Sequence, residues 1–297
     1  MLRLTGLSAF PITPADPDGR VDTAALRRLL GRLAATEVDS IGLLGSTGTY
    51  AYLSRAERRR TVEAAAAEVG GRTPLLVGVG ALRTDEAVRL AQDARAAGAD
   101  AGLLAAMSYT PLSEDEVFEH VVTVAREGGL PLCLYDNPAT THFRFTPALV
   151  GRLSREPGIV AVKSPGAGPA EVARDLAALR AVVPDGVALG TSGDWFAAEA
   201  LLAGAATWYS VAAGLFPEPC LAITRAAQDG DAAGARRLND ALAPLWDLFK
   251  AHSSLRVIYA AAAMLDLCHA APPRPILPLP APVREQVAAV VRQLGLE

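Results

Sequence analysis

The chain has 297 residues, 51% of them hydrophobic, with a net charge of −4 and a pI near 5.7. That apolar fraction is ample for a large core, and the length suits either two domains or one α/β barrel. There is no basic block, which argues against nucleic acid, and no apolar run reaches the roughly 18 residues that a bilayer span needs.

The opening M-L-R-L-T-G-L-S-A-F-P is too short and too broken by Gly and Pro for a signal peptide. Within it, Leu7–Thr13 is the first strand candidate. Asp22/Thr23 can cap a helix running to about Ala35, with Leu26, Leu29, Leu30 and Leu33 on one face. Ser40–Leu44 is a second strand, ending in the loop Gly45–Tyr50. Ser54 caps the next helix, with Glu57 placed for a capping box. Pro74–Gly80 is the third strand, and a helix follows from Thr84. Its V-G-V-G-A segment, Val77–Ala81, lacks the third glycine of a dinucleotide loop. Ala101–Ala105 is the fourth strand, then the loop Met107–Leu112, then a helix opened by Ser113 with Glu116. Leu130–Leu134 is the fifth strand, ending in Y-D-N-P at Tyr135–Pro138. Thr146–Pro147 starts a helix with Pro at a favoured position. Ile159–Val162 is the sixth strand, Glu171–Val182 a helix, Val187–Gly190 the seventh strand, Trp195–Ala203 a helix and Thr207–Val211 the eighth strand.

Eight strand–helix units at even spacing predict an α/β fold, a closed parallel (β/α)8 TIM barrel over residues 1–216. The near-continuous apolar strands suit a sheet covered on both faces. A doubly wound open sheet is the alternative, and the even units favour closure. After about Phe216 the strand signals stop. Pro217–Gln228, Asp231–Ala251, Ser253–Leu267 and Val283–Leu294 read as helices, so residues 217–297 are expected to form a helical extension packed on the barrel.

The polar residues at strand ends should converge on the C-terminal mouth of such a barrel. They are Ser46, Thr47, Tyr109, Tyr135, Lys163 and Asp194. Lys163 ends the apolar run I-V-A-V. Among 28 Lys+Arg residues only Lys163 and Lys250 are lysines. An arginine serves as a surface charge, but only a lysine can lose its proton near neutral pH and become a nucleophile. The alternative is a strand-end lysine that reaches solvent, and the convergence of the other strand ends favours the nucleophile. The loop G-S-T-G, Gly45–Gly48, is either an ordinary βα turn or a cradle for a carboxylate. Tyr135 and Tyr109 are either core with a satisfied hydroxyl or proton shuttles. Asp194 is either a helix cap or a substrate contact. The three cysteines, Cys133, Cys220 and Cys268, are widely spaced and suggest a reducing cytoplasm. Neither they nor the four histidines have metal-ligand spacing, so no metal is expected.

G-S-T-G, then the tyrosine of Y-D-N-P, then the lysine of V-K-S-P, together resemble the dihydrodipicolinate synthase and N-acetylneuraminate lyase family, from L-S-A-F-P-I-T-P through the C-terminal helices. The resemblance implies a (β/α)8 barrel with a helical extension, a homodimer or homotetramer, and a class I pyruvate-dependent aldolase or lyase with no cofactor beyond the Schiff base itself. It makes Lys163 the Schiff-base lysine and Tyr135 the proton relay, assisted by Ser46 and Tyr109. Ser46, Thr47 and Gly48 would hold the carboxylate of pyruvate or another 2-oxo acid. Tyr109 matches a tyrosine that reaches a neighbouring subunit's site, and Tyr209 a pocket-lining position. Thr140, Pro165, Asp194 and Tyr209 would contact the aldehyde. Thr49 stands where the family usually has glutamate, Pro165 where many members have Thr or Ser, and Thr140 where the lysine-pathway synthases have arginine, with Arg144 a few residues on. The expected activity is therefore aldol joining or cleavage of a 2-oxo acid and a neutral aldehyde. The alternatives are the family's 4-hydroxy-tetrahydrodipicolinate synthase activity, a 2-oxo acid dehydratase, and a non-catalytic 2-oxo acid-binding regulator.

Overall fold

A computed structural model describes residues 4–166 and 168–297. Its eight strands are β1 (Gly6–Ala9), β2 (Ser40–Leu43), β3 (Leu75–Gly78), β4 (Ala101–Ala105), β5 (Leu132–Tyr135), β6 (Ile159–Ser164), β7 (Ala188–Thr191) and β8 (Thr207–Ser210). They pair in sequence order, all parallel, and β8 returns to β1. The fold is a closed (β/α)8 barrel, as the spacing of the apolar runs predicts.

The helices between strands are α1 (Thr23–Ala34), α2 (Arg55–Val69), α3 (Thr84–Ala96), α4 (Glu114–Gly128), α5 (Pro138–Thr141), α6 (Pro147–Leu153), α7 (Val172–Arg180) and α8 (Ala197–Leu202). Their caps follow local chemistry. Asp22 accepts from the amides of Ala24 and Ala25, and Ser113 with Glu116 forms a full reciprocal capping box. The box expected at Ser54 is only half made. Ser54 accepts from the Glu57 amide, but the Glu57 carboxylate turns to the Val21 amide (2.7 Å) and to Arg60 (3.0 Å), tying α2 to the start of α1. α3 begins at Thr84 as expected, and the Thr84 hydroxyl bonds His120 Nδ1 at 3.0 Å.

Beyond β8 come α9 (Pro217–Gln228), α10 (Ala232–Ala241), α11 (Ala243–His252), α12 (Ser254–Met264) and α13 (Ala281–Gln293). α9 packs on β1 and α8 and so completes the outer ring. The ring's eighth helix thus comes from residues that the sequence reading gave to the extension. The single helix expected over Asp231–Ala251 is two, because Pro244 lacks an N–H and its ring would clash with the preceding turn. α12 is tied to the segment after β1, where Tyr259 donates to the Thr13 carbonyl at 3.4 Å. Among the described residues no helix is long and apolar enough to cross a membrane.

The barrel's interior is a separate apolar cluster. Leu4, Phe10, Leu76, Leu103, Cys133, Tyr135, Ala161 and Tyr209 belong to it. Because strand side chains alternate, Tyr135 and Lys163, at the C-terminal ends of β5 and β6, point to this same interior.

Candidate active site

β6 runs two residues further than its apolar stretch suggested, so Lys163 lies within the strand. It pairs with Tyr135 on β5 and Gly190 on β7. The strand is held there by the Asp136 amide donating to the Lys163 carbonyl at 3.0 Å and the Ser192 amide to that of Ser164 at 2.8 Å. Lys163 is only 5% exposed. Its Nζ stands 3.9 Å from the Phe10 ring centroid, 4.3 Å from that of Tyr135 and 5.5 Å from that of Tyr209. Ring faces return about 0.5–2 kcal/mol to an ammonium, less than the hydration a buried, unpaired cation loses. Burial therefore lowers the lysine's pKa to about 7, with partial compensation from Cys133 and Asp194. A large fraction of Lys163 is a free amine at neutral pH.

Around the amine the strand ends deliver a small hydroxyl network. The Tyr135 hydroxyl is 3.3 Å from Ser46 Oγ and accepts from Asn137 Nδ2 at 2.9 Å; Asn137 Nδ2 is also 3.3 Å from Ser46 Oγ. Burial raises the Tyr135 pKa, and these two hydrogen bonds pull it back. Ser46 lies in a loop bracketed by two left-handed non-glycine residues, Leu44 (φ 53) and Thr49 (φ 52), and closed by the Thr49 amide on the Ser46 carbonyl at 3.2 Å. Among the described residues the amides of Thr47 and Gly48 have no backbone acceptor. Such a strained turn with free N–H groups is suited to an anion.

The other candidates divide. Asp194 does not face the mouth, nor does it cap its own helix. Its Oδ1 accepts from the Trp208 indole at 2.9 Å and its Oδ2 from the Ala212 amide at 3.0 Å. That pull draws Asp194–Phe196 into a 3₁₀ turn, so α8 begins at Ala197 rather than at Trp195. Asp194→Ala leaves both donors unpaired in a closed space. It is expected to cost about 2–4 kcal/mol, read as a lowered urea midpoint; an unchanged midpoint would show that the carboxylate is dispensable. Tyr209 is 1% exposed and lies beneath the lysine, its hydroxyl 3.5 Å from Cys133 Sγ. Thr140 is exposed on α5 and donates to the Asn137 carbonyl at 3.2 Å. Pro165 is half-buried directly after β6. Tyr109 is 97% exposed and meets neither Tyr135 nor Ser46 within the chain. Arg144 is exposed and acts on Asp136, which faces away from the mouth next to Tyr135. Sequence reasoning passed over Asn137 and Phe10. Both stood in quoted motifs, and strand alternation from Tyr135 and Ser8 would have placed them. Among the described residues no three His, Cys, Asp or Glu side chains cluster as a metal site.

The model of the dihydrodipicolinate synthetase family matches residues 3–294. The chain belongs to that family. Family membership makes it a carbon–carbon lyase of the class I aldolase type. It is 36% identical over 285 residues to a 4-hydroxy-tetrahydrodipicolinate synthase of Methylococcus capsulatus, covering 96% of each chain. Its fold superposes on the crystal structure of a dihydrodipicolinate synthase from Agrobacterium tumefaciens with a TM-score of 0.96, at 55% identity over 98% of each chain. A dihydrodipicolinate synthase from Acinetobacter baumannii, solved in complex with pyruvate, matches with a TM-score of 0.92 at 26% identity, over 99% of this chain and 100% of that one.

Proposed function

We propose that this family member is a Schiff-base aldolase or lyase that joins or cleaves a 2-oxo acid, such as pyruvate, and a neutral aldehyde. The observation that carries the reading is the buried Lys163 amine, ringed by Phe10, Tyr135 and Tyr209 and paired in register with the Tyr135 strand end. The neutral amine adds to the keto carbon, and water leaves to give an iminium. The iminium draws electrons from C3, so a C3 proton or the C3–C4 bond breaks to an enamine. Tyr135 carries the proton between the carbinolamine and the second substrate's oxygen. Thr47, with the free amides of Thr47 and Gly48, holds the carboxylate and orients the carbonyl. Asn137 and Ser46 fix the phenol.

The aldehyde end of the mouth supports a neutral partner. Thr140 brings no charge, and Arg144 acts on Asp136. The names of the curated relatives favour a second reading, 4-hydroxy-tetrahydrodipicolinate synthase, which uses an acidic semialdehyde. Turnover of that semialdehyde above a panel of neutral aldehydes decides for the second reading. The exposure of Tyr109 supports a homo-oligomer in which that side chain meets a neighbouring subunit. The three free, buried cysteines fit a cytoplasmic setting.

Borohydride added with pyruvate is expected to leave a stable mass on the peptide that contains Lys163. An unlabelled Lys163 peptide under saturating pyruvate overturns the mechanism.

A further inference from the structure

Phe10 follows β1 directly, and its amide still donates to the Ser210 carbonyl of β8 at 2.9 Å. Its ring is buried in the barrel interior. A Cβ built at Gly42 on β2 would stand 2.2, 2.3 and 2.5 Å from three adjacent carbons of that ring, and one at Gly45 would stand 2.8 Å from a fourth. A point so close to three neighbouring carbons lies over the face of the ring and not beyond its edge. The bare backbone of Gly42 is thus pressed flat against Phe10, and Tyr209 meets the same ring at 6.0 Å and 82°. The ring is clamped in one orientation. In that orientation it presents a face to Lys163 Nζ, 3.9 Å from its centroid, nearer than the rings of Tyr135 and Tyr209.

Around that nitrogen no ordinary counter-ion is on offer. Lys250 pairs with Asp247 at 2.8 Å, but among the described residues Lys163 pairs with no carboxylate. The carboxylate whose charge reaches it, that of Asp194, is bonded to the Trp208 indole and the Ala212 amide. The Cys133 thiol is kept neutral by burial, its pKa pushed up to about 12. A carboxylate beside Nζ would hold the lysine protonated and unable to attack. A ring face does so far less, yet it still attracts a cation that forms later. An interaction that is weak with the resting amine and stronger with the charged intermediate is the kind that speeds a reaction. Phe10 has no hydroxyl, so its face is all it can contribute.

We propose that Phe10 is a further catalytic residue, whose clamped ring face stabilises the positive charge that develops on Lys163 Nζ as the carbinolamine becomes the iminium. This rests on the Schiff-base reading. In that step Tyr135 gives its proton to the carbinolamine hydroxyl, the C–O bond breaks and water leaves. The nitrogen lone pair closes the C=N bond, and one positive charge is left on Nζ against the ring.

The test places 4-fluoro-, 3,5-difluoro- and 3,4,5-trifluorophenylalanine at position 10. These nearly keep the shape of the ring and withdraw electron density from its face. Pyruvate is titrated at about pH 9, where Lys163 is a free amine in every protein, and the borohydride adduct on its peptide is weighed. The pyruvate concentration for half-maximal labelling is expected to rise with each added fluorine, about tenfold over the series. Exchange of the pyruvate methyl protons into deuterated water should slow in the same order. Phe10→Leu, which has no ring face, should label no better than the trifluoro protein. Labelling that is flat across the series, or that follows the position of the fluorines and not their number, overturns the proposal and leaves Phe10 a packing residue. So does a leucine variant that labels like the parent. A parent protein whose Lys163 takes no label strikes instead at the Schiff-base reading, and the proposal falls with it.

Discussion

Lys163→Met is expected to abolish turnover, by on the order of 10⁴-fold or more, and to stabilise the folded protein below neutral pH. The two effects have one cause. In the proposed mechanism the amine can attack because the barrel mouth strips its water, and that stripping penalises the ammonium. Its pKa falls from the ordinary 10.5 to about 7, with burial the leading cause. Between those two values the unfolded chain holds a proton that the folded protein has released, so stability contributed by this site rises with pH across the window. Below about 7 both forms are protonated and the full penalty, on the order of 5 kcal/mol, is present. Methionine fills the same space among Phe10, Tyr135 and Tyr209 without that penalty. The variant's urea midpoint should exceed the parent's near pH 6, and the gap should close towards about pH 10. A parent protein that is the more stable of the two near pH 6 would mean that the amine is solvated. Adduct formation with pyruvate should climb with pH through about 7 for the same reason, since only the free amine attacks.

The barrel was legible because each apolar run was short, bounded by turn residues and followed by an amphipathic segment. Those are local signals. Lys163 was legible for a similar reason: a lysine closing I-V-A-V in a chain that otherwise prefers arginine is a local oddity. Asp194 was not, because its partners, the Trp208 indole and the Ala212 amide, lie on the next strand and the turn beyond it. Glu57 was misjudged in the same way. The capping pattern fitted, but the Val21 amide, brought in by the fold, competes for the carboxylate. The Asp231–Ala251 break turned on a single Pro244 within a good helical pattern. Buried Arg58 was hidden inside the polar run R-A-E-R-R-R, where only packing tells the inward arginine from its exposed neighbours.

The V-G-V-G-A stretch that resembles half a dinucleotide loop has a steric reason, and it sets up the last expectation. A Cβ at Gly78 would lie 1.8 Å from the Leu44 carbonyl oxygen and 2.7 Å from its carbon. Leu44 is the left-handed residue that starts the loop bearing Ser46 and Thr47. The backbone of that loop therefore occupies the space a side chain on β3 would need. A backbone collision has no rotamer escape, so Gly78→Ala must displace the loop or the strand, and the strand is hydrogen-bonded on both sides. The loop yields. Overpacking of this kind costs about 1–3 kcal/mol or more, which at roughly 2–3 °C per kcal/mol for a chain of this length is a Tm lowered by about 5 °C. The larger consequence falls on the site: Thr47 and the free amides of Thr47 and Gly48 shift against Lys163, and KM for the 2-oxo acid should rise about tenfold or more. Gly80→Ala provides the contrast, because the same methyl there makes ordinary contacts at 3.4 Å and the Tm should stay near the parent's. Equal behaviour of the two variants would show that the loop accommodates a side chain at Gly78, and that the proposed carboxylate cradle does not depend on a bare β3 strand.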